Sequence, residues 1–438
     1  MKVTIADLKQ AITKTAPTDP ATALKLGWRL VDAVPHDIEG RLWIADLLVQ
    51  LGAPQAAGPV YEAIAQYGIR GGHPLVSLVA AKVLEDSDRD VSDFYRTIAR
   101  FYGAGSSKVS AHGQRTSPEH PDTLVQAPDL ETEISLPSLI AGAARAAANL
   151  DGIEDYPETL LKIPLLSELP EPSFVKVCET IRCIRLPAGS MVIREGEMGR
   201  SFFWLARGSV SVYKTDMRGR QTELAQLGEG ALFGEMALIQ AAPRSASVQT
   251  RSDADLLEVD SAALSTMAEH LDAVALALDR FARERLLNNL LATSALFVPF
   301  SRKQRMDLLR RFTGHEVAPG TIIINEGDEG RGLYVVLSGE VEITKEQEGE
   351  QVPLATLKAG DIFGEIALLK GFPATATVTA TRRSTILFLD RTYFKRLVNA
   401  LPEIRAMFEN MTEERLRDTQ MVLADDMIIE ASDDLVLI

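Results

Sequence analysis

Cysteine is nearly absent: Cys178 and Cys183 are the only two in 438 residues. That is too few for a disulfide framework or a four-cysteine zinc site, and the pair reads as core thiols in a reducing compartment. Basic charge is also short. Against 61 acidic residues stand 46 Lys and Arg, a net charge of −15. This argues against a general nucleic-acid or anionic-membrane surface and leaves room for a local basic pocket. No uninterrupted apolar run of about 18 residues occurs, so no membrane span is expected. The opening "MKVTIADLKQ" lacks the apolar stretch of a secretory signal. Catalytic signatures are missing: there is no HExxH, GxSxG or GxxxxGK[ST], and no HRD or DFG pair. His36, His73, His112, His120, His270 and His315 are scattered without ligand spacing, so no metal site is expected. These absences leave a cytoplasmic, non-enzymatic globular chain without a cofactor. Its length implies about two to four domains.

The first hundred residues carry a helical repeat pattern. Ala23, Gly27 and Leu30 recur 34 residues later as Ala57, Tyr61 and Ile64, and again as Val91, Tyr95 and Ile98. Each triplet lies on one helical face, and the period is that of tetratricopeptide repeats, which "LGAPQAAGPVYEAI" (Leu51–Ile64) resembles. A plain helical bundle is the alternative. From Gly103 to about Ser135 the composition turns to Gly, Ser, Pro, His and acidic residues, which predicts an exposed linker. "LPSLIAGAARAAANL" (Leu136–Leu150) then has helical composition.

The rest of the chain is one domain written twice. "REGEMGRSFFWLARGSVSVY" from Arg194 pairs with "NEGDEGRGLYVVLSGEVEIT" from Asn325. The offset is 131 residues as far as Gly208 and Gly339, and 130 from Gly234 and Gly364 onward. Short alternating or apolar runs broken by glycine turns predict a small antiparallel barrel or jelly roll in each copy, followed by helices.

The most specific words are "FGEMALIQAAPRSASV" (Phe233–Val248) and "FGEIALLKGFPATATV" (Phe363–Val378). In each, a strand ends at Phe-Gly-Glu and a short apolar helix follows. Glycine permits close approach of backbone to a ligand, and a helix start presents free N–H groups to an anion. Nine residues after Glu235, Arg244 brings a guanidinium to the same place. Arginine with backbone amides suits a phosphodiester. The acidic Glu235 suits a ligand that also presents a sugar hydroxyl.

Phe233–Val248 resembles the phosphate-binding cassette of the cyclic nucleotide-binding domain, as in catabolite activator protein and the regulatory subunit of protein kinase A. Gly196 and Gly208 also fall where that family has glycines. The resemblance covers roughly residues 155 to 415, as two domains in tandem. It implies that Gly234 and Ala237 line the close approach and that Glu235 takes the ribose 2′-OH. Arg244 would pair with the cyclic phosphate, while Ser245 and Ala246 donate backbone amides. The second copy keeps Gly364, Glu365 and Ala367 but has Ala374 in place of the arginine, with Thr375 beside it. Removing the charged partner of a buried anion costs about 3–5 kcal/mol, or about two to three and a half decades of affinity. The second site is therefore expected to have lost cyclic nucleotide; an uncharged ligand such as a nucleoside, held by Glu365, is the lesser alternative.

The predicted fold class is multidomain α+β. A helical repeat domain (residues 1–102) and a linker with one helix (103–154) precede a first jelly-roll domain (155–292). A second jelly-roll domain with a degenerate cassette (293–422) and an acidic, apolar tail (423–438) complete the chain. The expected role is a regulatory adaptor that binds cAMP, or less readily cGMP, and meets a protein partner through its helical N-terminus, without nucleic acid or membrane insertion. A ligand-free scaffold is the serious rival. A kinase-inhibitory subunit would need a substrate-like Arg-Arg-x-Ser/Thr segment, and the linker offers only "GQRTSPE". A transcription factor would need a helix-turn-helix and a basic face. "TRRSTILFLD" (Thr381–Asp390) resembles a kinase substrate site, but it falls on a predicted strand, which favours a structural role.

Overall fold

Two units make up the chain, Met1–Phe281 and Ala282–Ile438. A computed structural model describes all residues except Met1, 117–120, 127–132, 152, 154–155, 216–219, 237–242, 266–270, 295, 298, 348 and 434–438.

The first unit opens with six helices: Ile5–Thr15, Pro20–Ala33, Ile38–Gln50, Pro54–Gly71, Pro74–Glu85 and Ser92–Tyr102. Their starts follow local chemistry. Thr4 forms a reciprocal capping box with Asp7, Asp19 and Asp37 accept hydrogen bonds from Thr22 and Gly40 amides, and proline occupies the first turn of three helices. The residues of the 34-residue pattern are buried in this unit, on or beside the helices that begin at Pro20, Pro54 and Ser92. The helical N-terminus is thus as expected.

Part of the stretch read as an exposed linker is instead built into the unit. Leu124–Gln126 pairs with Lys2–Thr4, and Val109–Ser110 runs parallel to Leu160–Leu161. The helix Leu136–Ala148 buries Leu139, Ala143 and Ala147. Its Gly142 sits on Trp28, where a Cβ would come within 2.2 Å of the indole ring. Arg41, only 1% exposed, reaches the end of that helix and donates to the carbonyls of Ala147 and Asn149. A cation at a helix C-terminus satisfies carbonyls that have no intrahelical partner. Composition could not reveal this, because the partners lie over a hundred residues away in sequence.

Each unit then contains two four-stranded antiparallel sheets packed as a barrel. In the first unit one sheet runs Leu232–Phe233, Ser201–Arg207, Ala254–Asp260, Arg182–Leu186. The other runs Met191–Ile193, Ser247–Thr250, Val210–Thr215, Gln221–Leu227. The second unit repeats the scheme with Ile362–Phe363, Gly332–Ser338, Ser384–Asp390, Thr313–Val317 in one sheet. Its other sheet comprises Ile322–Ile324, Thr377–Ala380, Glu340–Gln347 and Glu350–Lys358. Ser384 of the substrate-like "TRRST" run is 1% exposed, and its hydroxyl accepts from the Glu340 amide at 3.0 Å. That segment has the structural role expected of it.

Strand period explains how the first barrel joins the helices. Ser201–Arg207 is buried along almost its whole length, and successive side chains serve opposite faces. Phe203 and Leu205 enter the barrel core with Val210, Phe233 and Val248. Phe202, Trp204 and Ala206 enter the core shared with the N-terminal helices. Pro74–Glu85 packs on this strand and on Arg182–Leu186. In the second unit Leu333, Val335 and Leu337 face helices, while Val336 belongs to the barrel interior. The unit boundary falls inside the helix Leu271–Thr293. Val274, Ala277 and Leu278 belong to the first core and Leu290 to the second, while Leu276 is 61% exposed. Burial raises both thiols, Cys183 to about 12, so neither is a thiolate at neutral pH.

One buried carboxylate bridges helices and barrel. Asp255 is fully buried and accepts from Arg207 (2.8 Å) and Arg185 (3.2 Å). Arg185 also makes a two-pronged contact with Asp46 of the helix Ile38–Gln50, at 2.7 and 3.1 Å. Burial alone would raise the Asp255 pKa, but Arg207 and Arg185 outweigh it and hold it below its ordinary 3.8. Breaking such a pair costs about 3 kcal/mol. Asp255→Asn is therefore expected to lower the stability of the first unit by about that amount in urea unfolding at neutral pH. A depressed carboxylate stabilises the fold above its unfolded-state pKa, and the contribution disappears as pH falls through the folded value. The gap between wild type and Asp255→Asn should hence close below pH 3.8. A gap independent of pH would show that the ion pair is not its source.

Candidate functional site: the two strand-glycine-glutamate turns

Both copies build the same turn. Phe233 pairs across the sheet with Phe203 and Phe363 with Tyr334, the rings stacked at 5.4 and 5.0 Å. This cross-strand pair fixes where the strand ends. The next residue, Gly234 or Gly364, has φ of +86° in both copies, a left-handed conformation that favours glycine. The following glutamate, Glu235 or Glu365, is 1% exposed in both. Two buried carboxylates at matched positions require an electrostatic reason.

In the first copy the reason includes Arg244. It is buried, and its guanidinium donates to the Gly234 carbonyl through Nη1 and to the Ser201 carbonyl through Nη2 at 2.7 Å. Burial pulls its pKa below the usual value, and the charges of Glu235, Glu258 and Glu197 oppose that shift. The backbone of Arg244 is fixed by its neighbour hairpin: its amide donates to Glu197 (2.8 Å) and its carbonyl accepts from Gly196 (2.9 Å). Gly234, Glu235 and Arg244 are thus brought together at one end of the barrel. Exposed Ser245 and half-buried Ala246 follow directly and lead into the strand Ser247–Thr250. Ala237 lies outside the described residues. Ser201, which holds the guanidinium, carried no sequence signal, because a backbone carbonyl can belong to any residue type.

The second copy keeps the backbone and loses the cation. Ala374 donates to Asp328 (2.8 Å) and accepts from Gly327 (2.8 Å), the bonds that Arg244 makes with Glu197 and Gly196. Thr377 Oγ1 accepts from the Glu326 amide (3.1 Å) as Ser247 Oγ does from Glu195 (3.0 Å). The substitution is therefore positional and not a shift of register. Glu365 finds another guanidinium. Arg415, on the helix Pro402–Asp433, donates through Nη1 to Glu365 Oε1 (2.8 Å) and to the Ile362 carbonyl (2.7 Å). The other carboxylate oxygen, Glu365 Oε2, is buried without a hydrogen-bond partner. Lys345 is nearby and committed, donating to Glu326 (2.6 Å) and to the Thr375 carbonyl (2.9 Å). A cavity of about 360 Å³ opens here, with Gly364, Glu365, Ala367, Ala374 and Thr375 among its walls, and Arg415, Asp418 and Thr419 from the helix. Sequence reasoning missed Arg415, since an arginine in "EERLRDTQ" is ordinary for an exposed helical face.

A pair of double-sheet barrels, each with a buried glutamate behind a left-handed glycine, defines the cyclic nucleotide-binding domain class. The description "Cyclic nucleotide-binding domain" matches residues 183–270 and 315–400. The cAMP-dependent protein kinase regulatory subunit of Yarrowia lipolytica is 30% identical over 315 residues, covering 68% of this chain and 80% of that one. The cGMP-dependent protein kinase egl-4 of Caenorhabditis elegans is 28% identical over 324 residues, covering 68% of this chain and 40% of that one. Among solved structures, the cAMP-bound regulatory domain of Toxoplasma gondii PKA aligns at 25% identity and a TM-score of 0.28, covering 57% of this chain and 92% of that one. The chain belongs to the family of tandem cyclic nucleotide-binding domain proteins that includes the protein kinase A regulatory subunits. Among the described residues no helix is long and apolar enough to cross a membrane.

Gly234→Ala tests the turn by itself. The added Cβ would lie 2.9 Å from Arg244 Nη1 in a left-handed backbone. We expect a loss of about 1–2 kcal/mol in thermal or urea unfolding. A variant as stable as wild type would show that the glycine is not required there.

Proposed function

We propose that the chain is a non-enzymatic, cytoplasmic cyclic nucleotide receptor whose first barrel binds cAMP, or less readily cGMP, and whose helical N-terminus, read as tetratricopeptide-like, engages a protein partner. The observation that carries this reading is Arg244. It is a buried guanidinium beside Gly234 and Glu235, and among the described residues its Nη1 and Nη2 donate to the carbonyls of Gly234 and Ser201. A phosphodiester offers a guanidinium charged acceptors, which bind about twice as strongly as neutral ones. Glu235 would take the ribose 2′-OH, and the amides of Ser245 and Ala246 would add donors, with Ala237 assigned to the close approach by resemblance alone. The relatives named for cAMP- and cGMP-dependent kinases support both nucleotides as ligands.

The same geometry supports a route from ligand to partner. Recruiting Arg244 to a phosphate would release the Ser201 carbonyl at the start of the strand Ser201–Arg207. Arg207 at the far end of that strand holds Asp255, which holds Arg185, which holds Asp46 on the helix Ile38–Gln50. A nucleotide regulates only if it prefers one of two conformations of such an element.

Calorimetric titration with cAMP, cGMP and AMP should find about one cyclic nucleotide per chain, because only the first turn keeps its arginine. Arg244→Ala should weaken binding by about two decades or more. Two equal sites, or unchanged affinity in the variant, would overturn the assignment. Saturating cyclic nucleotide should also slow amide exchange in the helix Ile38–Gln50 as well as in residues 233–248. Protection confined to 233–248 would leave a receptor that is not switched, and the scaffold reading would prevail.

A further inference from the structure

One cationic face of the second unit has no acidic partner of its own. Tyr393, 40% exposed on the helix Arg391–Ala400, carries two guanidiniums over its ring, Arg311 at 5.3 Å and Arg396 at 5.8 Å from the centroid. Arg311 also donates to the Tyr393 hydroxyl at 3.5 Å. One turn beyond Arg396, Asn399 accepts from Arg405 Nη2 at 2.9 Å, so the arginine row continues onto the start of the helix Pro402–Asp433. Arg311, Arg396 and Arg405 are exposed, and among the described residues none of them meets a carboxylate. Other arginines of this unit do: Arg383 meets Glu316, Arg391 meets Glu329 and Arg415 meets Glu365. An aromatic face orients a guanidinium while leaving most of its N–H donors free for an anion.

The complementary charge lies in the same chain. Residues 421–438 hold Asp425, Asp426, Glu430, Asp433 and Asp434 and no Lys or Arg, with Met427, Ile428 and Ile429 interleaved. Most of this acidic segment continues the helix Pro402–Asp433, and Met421 on it is 57% exposed. At 1.5 Å per residue, about 30 Å of helix separates Arg405 from Asp425 and about 42 Å separates it from Asp433. The acidic end therefore cannot fold back onto its own row while the helix is intact, but a second copy can present it. The helix dipole favours the same exchange. Cations at a helix start and carboxylates at its end are both disfavoured, and opposite charge from outside offsets each.

We propose that this face is a self-association site, in which residues 425–434 of one copy lie on Arg311, Arg396 and Arg405 of a second, with apolar residues of the segment against the exposed ring of Tyr393. The exchange is reciprocal, so two such contacts close a two-fold dimer. A nucleic acid fits the row less well, because the chain carries a net charge of −15. Every residue of the contact lies in the second unit, so the assignment stands apart from the reading of the first barrel.

Sedimentation velocity of the full chain tests this. At about 50 μM the chain should run as a dimer in about 50 mM salt and as a monomer in about 500 mM, because exposed ion pairs are screened. Arg396→Glu with Arg405→Glu, and separately Asp425→Lys with Asp426→Lys, should each raise the dissociation constant about tenfold or more, since like charges then face each other in both contacts. Mixing the two variants should restore the dimer, because each row then meets a segment of opposite sign. A wild-type chain that is monomeric at about 50 μM in low salt overturns the proposal and leaves the row to an acidic segment of another protein. A wild-type dimer that persists at about 500 mM salt, a measurement that needs no variant, also overturns it. So does a dimer that neither reversal weakens, or a mixture no more associated than its parts.

Discussion

The strand Ser201–Arg207 organises the first unit because each of its residues is used. At its start, the Ser201 carbonyl holds Arg244; one step on, Phe203 stacks on Phe233 and sets where the cassette strand stops. Alternate side chains divide between barrel and helices, so one strand is a wall of two cores. At its end, Arg207 reaches Asp255 and through it the ion pairs with the helical layer. The element that holds Arg244 is thus the same one that packs on the helices.

The two copies share a backbone and differ in the cation beside the buried glutamate. The left-handed glycine, the buried glutamate, the cross-strand aromatic pair and the hairpin bonds persist in both. The glycine, the aromatic pair and the hairpin bonds are constraints of backbone and packing, whereas the buried glutamate calls for a cation. The cation differs, and with it the source of charge: Arg244 comes from within the cassette, Arg415 from a helix 50 residues beyond Glu365. Supplying the guanidinium from the helix makes that helix part of the cavity wall.

Much of this was legible in the residues and some could not be. The duplication, the strand-glycine-glutamate word and the missing arginine are local patterns, and local patterns survive in a one-dimensional reading. The buried faces of Ala57, Tyr61 and Ile64 followed from helical period for the same reason. What escaped was long-range pairing: Arg41 with the end of a helix 106 residues away, Arg185 with Asp46 at 139, Arg415 with Glu365 at 50. Composition between 103 and 135 suggested exposure, since Gly, Ser and Pro do favour loops, yet edge pairing and Gly142 against Trp28 draw parts of the region and the next helix inward. Asp255 did not stand out in sequence, since "ADLLEVD" also carries Glu258 and Asp260. Its partners depend on tertiary structure alone.

The shared core of helices and first barrel also bears on inheritance. Phe202, Trp204 and Ala206 would meet water if the helical layer were removed, and the helices would likewise expose Leu78 and Val79. Neither piece can be traded to another protein without a replacement surface of matching shape. The second barrel closes its outer face with residues of its own unit on both sides of it in sequence, Leu290 and Phe297 before it and Phe394 and Phe408 after it. Recombination that moves the second barrel with its own helices conserves a complete hydrophobic core, whereas any cut between the helical layer and the first barrel divides one.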